Sequence, residues 1–289
     1  MTALVIEAAL NGATSRAANP NVPIGADELV TDALACLDAG AAIVHQHDDL
    51  RAMGSSSPAA MAELSAEMYR AVLARRPHAL LYPTANFLGR DGIERWAHHD
   101  LLADAGLIRL ALLDPGSVTY GWAGADGVPR GGVVYGYTFE EVAHIIDRCH
   151  ALRLGPSIAI FEPGYLRVVL AYHRAGRLPV GSFVKFYFGG DHQPFGLPPE
   201  PASLDVYLRM LGDSGLPWAV AVLGGDVVAS GLADAAIEAG GHVRVGLEDH
   251  TGDPTVTNPD LVAEVANRAA RIGRPVANSE EAAAILGLP

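Results

Sequence analysis

GADELVTDALACLDAGAAIVHQH, residues 25–47, holds one complete helix-to-strand unit. Its first half reads as a helix that Asp27 caps and Gly40 stops. The run AAIVHQH (41–47) that follows is apolar and partly β-branched, as a buried strand requires. Working outward, the same alternation recurs along the chain. Candidate strands are ALVIEAAL (3–10), AAIVHQH (41–47), ALLYPT (79–84), LIRLALL (107–113), SIAIFE (157–162), GSFVKFYF (181–188), WAVAVLG (218–224) and HVRVGLE (242–248). Longer helical patterns separate them, such as the amphipathic SPAAMAELSAEMYRAVLARR, in which Ser57 precedes Pro58 at the start. Eight strand–helix units in 289 residues is the arithmetic of a closed (β/α)8 TIM barrel forming a single domain over 1–289. An open doubly wound sheet is the runner-up, but no G-x-G-x-x-G follows the first strand. The closing NSEEAAAILGLP reads as a capped helix over 279–287 that packs on the barrel exterior.

Half of the residues are apolar, enough for a large core, yet runs such as LPWAVAVLGG are too short and too Gly-interrupted to span a bilayer. The N-terminal MTALVIEAALNGA lacks a basic n-region and carries Glu7 inside its apolar stretch, so a cytoplasmic protein is expected. Cys36 and Cys149 show no metal or redox spacing and read as reduced core cysteines. A formal charge of −13 disfavours nucleic acid and anionic membrane as partners and points to a small-molecule ligand.

The longer connections follow strand two (DDLRAMGSSSP), strand four (DPGSVTYGWAGADGVPRGG), strand six (GGDHQPFGLPPEPAS) and strand eight (DHTGDPTVTNP). All lie at strand C-terminal ends, the face on which barrel enzymes build their sites. His45 and His47 stand there at i and i+2, so period-two geometry turns both imidazoles to the same side. A tight metal site needs a third protein ligand, and the eighth strand supplies the acidic pair Glu248–Asp249, one strand away across the barrel closure. Two His and one carboxylate with an open position suit polarising a carbonyl or activating water. Such a set accepts zinc, iron, manganese or cobalt. Arg244 shares a facing with Glu248 and can clamp a substrate carboxylate, pair with Asp249 or form a plain structural ion pair. Glu7 is given no role. His98–His99 read as a solvated helix face, His192 as a lid contact and His250 as a loop hydrogen-bonding group. No nucleophile elbow or P-loop stands out.

AALNGATSRAANPNVPI, AGAAIVHQH (39–47), DPGSVTYG (114–121), GGHVRVGLEDHTGDPTVTNPDLV (240–262) and GRPVANSEEAAAILGL together give a chain that resembles the β-keto acid cleavage enzymes over almost its whole length. This resemblance implies a zinc-dependent barrel that condenses a β-keto acid with acetyl-CoA to give acetoacetate and a new acyl-CoA. It implies that His45, His47 and Glu248 hold the metal and that Arg244 and Asp249 act together on the C2 proton. Asn11, Asn86 and Asp114 are then expected to line the substrate pocket. A homo-oligomer, commonly a tetramer, is also implied. Departures lie at the substrate side. The family's H-x-H-x-R continues here as His45-Gln46-His47-Asp48-Asp49-Leu50 with Arg51 displaced, and the Glu that meets an amino substrate falls at Thr14. Pro83-Thr84-Ala85-Asn86 replaces a Ser-Thr-Gly-Gly segment, and a strand-five Glu falls at Ala159 while Glu162 is kept. The substrate is left open. A metal-dependent hydrolase or retro-aldolase without CoA is the alternative, and a binding or regulatory protein without turnover is a third reading.

Overall fold

The computed structural model describes residues 2–48 and 57–289. In chain order run β1 (Ile6–Ala9), α1 (Ala26–Ala39), β2 (Ile43–Gln46), α2 (Pro58–Leu73), β3 (Leu80–Pro83), α3 (Gly92–Trp96), α4 (His98–Asp104) and β4 (Leu110–Leu113). Next come β5 (Ser117–Ala123), β6 (Pro129–Gly136), α5 (Phe139–Leu152), β7 (Gly155–Ile160), α6 (Pro163–Arg174) and β8 (Phe183–Gly189). The chain continues through α7 (Pro201–Leu211), β9 (Trp218–Leu223), α8 (Leu232–Glu238), β10 (His242–Val245), α9 (Asn258–Ile272) and α10 (Ser279–Leu286). Eight strands pair in parallel in the order β3-β2-β1-β10-β9-β8-β7-β4, and β3 and β4 lie side by side at the seam. The sheet therefore curls into a (β/α)8 TIM barrel, and each barrel strand overlaps one of the predicted runs.

Strand alternation sorts the side chains between two cores. Leu4, Ile6, Ala8 and Leu10 pack outward with Val44, Leu81, Ile158, Val184, Val220 and Val243 against the helices. The intervening positions face the barrel interior, where Val5, Ile43, Leu80, Leu110, Phe183 and Ala219 form an apolar floor at the strands' N-terminal ends. Ala282, Ala283 and Leu286 of α10 join that floor, and Ser279 Oγ donates to the Ala42 carbonyl at 2.8 Å. The C-terminal helix thus packs across the lower end of the barrel, where its small alanine face lets it approach the strand ends. One layer above the floor, the inward residues turn polar: Glu7, His45, Tyr82, Lys185 and Arg244 are all buried. The floor excludes water from below, so polar chemistry is confined to the upper mouth.

Three local expectations are corrected. The segment after β4 is an antiparallel hairpin, β5 with β6, where a loop was expected. Its Gly-rich turn sequence and mostly exposed strands hide the pairing, and Gly132 is needed because a Cβ there would sit 1.6 Å from the Tyr120 carbonyl oxygen. Helix α1 is capped by Gly25, with the Glu28 carboxylate accepting from the Ile24 and Gly25 N–H groups; Asp27 lies inside the first turn. His98 and His99 are fully buried, not solvated. His98 Nε2 meets the Thr84 carbonyl at 2.8 Å, and the His99 ring stacks on Trp96 at 4.8 Å and 12°. Ser57 caps α2 through the Ala60 N–H, Gly40 ends α1, and Cys36 and Cys149 are buried free thiols. Most of the expected strand-two loop, including Asp49, Leu50 and Arg51, lies outside the described residues.

Candidate active site

His45 at the end of β2 and His47 just beyond it project to the same side, with ring centroids 5.2 Å apart in a T-shaped arrangement. The His45 Nδ1 edge meets the Tyr82 carbonyl at 3.2 Å, which leaves Nε2 directed at Glu248 Oε2, 3.4 Å away. Burial, before any neighbouring charge, pushes the His45 pKa well below its ordinary value, so the ring is neutral and able to donate a lone pair. His47 Nε2 lies 3.3 Å from Glu248 Oε1. Asn11 fixes the His47 backbone from both sides, accepting from its N–H at 2.8 Å and donating to its carbonyl at 2.9 Å.

Glu248 follows the sharp bend at the end of β10. Its N–H donates to the Ala9 carbonyl at 3.2 Å, while Thr14 Oγ1 donates to the Leu247 carbonyl at 2.8 Å and Asn258 Oδ1 accepts from the Leu247 N–H at 2.7 Å. Gly12 stands opposite at φ +51°, and a Cβ there would lie 2.3 Å from Glu248 Cγ. Only glycine gives the carboxylate that space. The donor atoms of His45, His47 and Glu248 all lie within 4.8 Å of one another, a separation one divalent cation bridges. Two observations fit a cation. Among the described residues, Glu248 Oε2 is buried with no hydrogen-bond partner, and three carboxylates (Glu7, Glu248, Asp249) share two cations (Arg244, Lys185).

Arg244, on β10 and 1% exposed, spreads its guanidinium over three acids. Nε and Nη2 donate to the two Asp249 oxygens at 2.8 and 3.0 Å, Nη2 also lies 2.7 Å from Glu248 Oε1, and Nη1 donates to Glu7 Oε1 at 2.9 Å. Burial works against the Glu248 charge, but Arg244 and then His47 and His45 override it and hold the carboxyl well below the usual range. Asp249 goes the other way: burial, with the Glu248 charge next door, raises it despite Arg244. A raised carboxyl is a stronger base when ionised. Arg244 therefore pairs with Asp249, as one of the sequence alternatives had it, while touching Glu248 and Glu7 as well.

Asn11, Asn86 and Asp114 follow the C-terminal ends of β1, β3 and β4. Asn11 serves the His47 backbone, because both ends of its carboxamide are held there. Asn86 is wholly buried, and its Oδ1 accepts from the Leu88 N–H at 3.1 Å in the turn after β3. Asp114 does sit on an inward position, 3% exposed. Its Oδ2 accepts from the Tyr135 hydroxyl at 2.5 Å, its Oδ1 has no hydrogen-bond partner among the described residues, and burial pushes it up to about 6. Tyr135 comes from the unanticipated hairpin, and Phe87, 46% exposed, bridges Tyr135 and His47 with ring centroids 5.7 and 6.0 Å away. His192 is exposed, and its carbonyl, not its ring, accepts from the Ala123 N–H of the hairpin. His250 Nδ1 lies 3.8 Å from Asp226 Oδ2.

Sequence reasoning missed Lys185 and the part played by Glu7 and Tyr82. Glu7 Oε1 accepts from the Tyr82 hydroxyl at 2.6 Å and from Lys185 Nζ at 2.9 Å, and Lys185 Nζ meets the Tyr82 oxygen at 2.6 Å. Burial alone would raise Glu7, but Lys185 and Arg244 bring it down to about 2. The available signal was a lone lysine inside the apolar strand FVKFYF, at the parity of Tyr187. A charge there has to find a partner across the barrel.

A parallel barrel with a His/His/carboxylate cluster at its upper mouth is an arrangement shared by many enzyme families. Comparison narrows it: the sequence profile of the beta-keto acid cleavage enzyme family matches residues 3–288, and the chain belongs to that family. It is 28% identical to the 3-keto-5-aminohexanoate cleavage enzyme of Acetoanaerobium sticklandii, covering 100% of this chain and 99% of that protein. It is also 28% identical to the 3-oxoadipate:acetyl-CoA acetyltransferase of Cupriavidus necator, covering 99% of this chain and 95% of the relative. Among solved structures, apo ObcA superposes with a TM-score of 0.72 at 17% identity, over 93% of this chain and 66% of the longer ObcA chain, and so shares the fold.

Proposed function

We propose that the chain is a zinc-dependent enzyme that condenses a β-keto acid with acetyl-CoA to give acetoacetate and a new acyl-CoA. The observation that carries this reading is the convergence of His45, His47 and Glu248 beside the Arg244–Asp249 pair at the barrel mouth. His45, His47 and Glu248 would hold a divalent cation, which would supply Lewis-acid chemistry for a carbonyl substrate when bound. The protein's own groups do the rest. Asp249, raised by burial and oriented by Arg244, takes the C2 proton. The C2 carbon then bonds to the acetyl carbonyl of acetyl-CoA and the CoA thiolate leaves. That thiolate adds to the original keto carbon, the bond from this carbon to C2 breaks, and C2 regains a proton as part of acetoacetate. The relative named for 3-oxoadipate and acetyl-CoA supports the thioester as co-substrate.

Thr14 directs its hydroxyl to the Leu247 carbonyl, so an amino-bearing tail finds no carboxylate there; a different β-keto acid is the expected substrate. The test is to incubate the purified, zinc-analysed protein with a panel of β-keto acids and acetyl-CoA and follow acetoacetate. Silence across the panel with zinc bound rejects the reading, and turnover without any thioester replaces it with the hydrolase or retro-aldolase alternative.

Two further expectations attach to this reading. Asn11→Ala frees the His47 backbone and is expected to lower zinc affinity by roughly 10–100-fold, the usual effect of losing an outer partner, as read by chelator competition. The exposed Trp122, Val133, Val134 and Phe139 on and beside the hairpin fit a homo-oligomer, expected to be a tetramer by light scattering. No described helix is long and apolar enough to cross a membrane.

A further inference from the structure

We infer that Lys185 and Glu7 are positioning residues for proton transfer, holding Arg244 so that its Nε edge stays on Asp249; this rests on the reading of Arg244 and Asp249 as the proton-transfer pair. The four groups form one continuous chain across the barrel. Lys185 on β8 reaches Glu7 on β1 at 2.9 Å, Glu7 reaches Arg244 Nη1 on β10 at 2.9 Å, and Arg244 meets both Asp249 oxygens at 2.8 and 3.0 Å. Lys185, Glu7 and Arg244 are 2%, 1% and 1% exposed, so solvent does not compete for these bonds.

A guanidinium is a rigid planar fork, so anchoring one nitrogen fixes where the others point. Glu7 holds Nη1 on the side away from Asp249 and stops the fork from rotating. Lys185 has the complementary task. Without it, Glu7 would be a buried carboxylate with Arg244 as its one cationic hydrogen-bond partner among the described residues, and would draw the guanidinium away from Asp249. Tyr82 completes the clamp: its hydroxyl lies 2.6 Å from both Glu7 Oε1 and Lys185 Nζ.

A merely structural ion cluster would act otherwise. Buried ion pairs contribute little net stability compared with apolar replacements, and removing the whole cluster would then leave turnover intact. The test uses E7Q, K185M, K185R and the double variant E7Q/K185M in the full-length zinc-loaded protein. E7Q and K185M are each expected to lower kcat roughly 10–100-fold, with zinc stoichiometry and keto-acid KM unchanged. K185R restores part of the rate. The double variant loses no more than the worse single one, because both residues act through Arg244. The double variant also removes both buried charges, and so serves where a single substitution fails to fold.

Crystal structures provide a readout that does not need turnover. In E7Q and K185M, the Arg244–Asp249 contacts should lengthen beyond hydrogen-bond reach. Arg244 left in place in these variants overturns the inference, as does an unchanged kcat or an effect confined to KM or melting temperature. If the wild type is silent on the whole panel while Arg244 moves in the variants, the reaction assigned above fails and the positioning stands.

Discussion

Glu248→Gln is expected to bind no stoichiometric zinc at concentrations that saturate the wild type, and to form acetoacetate at the background rate. Among the described residues, this carboxylate is the one that meets both His45 Nε2 and His47 Nε2, at 3.4 and 3.3 Å. The amide removes the negative charge that a divalent cation requires and keeps the side chain's volume. The effect should exceed the roughly 10–100-fold that follows loss of an outer partner. Asp249→Asn is the informative companion. It lies beside Glu248 in sequence but on the far side of Arg244 from Glu7, so it should keep full zinc while turnover collapses. Metal analysis of the two variants beside a rate measurement separates cation binding from proton transfer, and zinc loss in Asp249→Asn would merge roles that the geometry keeps apart.

The second large effect is on stability in acid. His98 is wholly buried, and burial lowers its pKa from 6.5 to about 4. In the folded protein the ring is therefore neutral over a range in which the unfolded chain already takes up a proton. Unfolding then binds a proton below about pH 6.5, so the stability that neutral His98 contributes is complete above that pH and drains away as pH falls toward about 4. The shift corresponds to roughly 3 kcal/mol at the acid end. Other groups oppose it, since Asp32 and Asp114 are raised to about 6 by burial and favour the folded state in acid. A difference measurement removes them. The stability gap between wild type and His98→Gln, by urea unfolding, is expected to narrow by about 3 kcal/mol between pH 7 and pH 4. A gap that stays constant would mean that His98 is charged, or reachable by water, in the folded state.

The barrel and its candidate metal-binding residues were legible because both are written in local periodicity. Glycines close the helices, apolar runs make the parallel strands, and the i, i+2 histidines sit at a strand end. The missing parts depend on partners far away in sequence. Lys185 looks anomalous in its strand until Glu7 and Tyr82, 178 and 103 residues away, are placed opposite it. His98 and His99 resemble any polar helix face until the Thr84 carbonyl and the Trp96 ring cover them. The hairpin escaped because its strands face solvent and carry glycine at the turn, so neither apolar alternation nor length marks it. Asn11 was read as a pocket residue, and its two bonds to the His47 backbone, 36 residues away, come into view only when β1 and β2 lie side by side.

The stack of Trp96 on His99 carries an experimental convenience. Trp96 is fully enclosed and its indole Nε1 donates to the Leu112 carbonyl at 2.8 Å, whereas Trp122 stands 56% open to solvent. An imidazole that gains a proton against an indole face accepts an electron from the excited ring and dims its emission. The blue-shifted fluorescence of the enclosed indole should therefore act as a built-in optical gauge of proton entry into this flank of the barrel, ahead of any loss of helix signal.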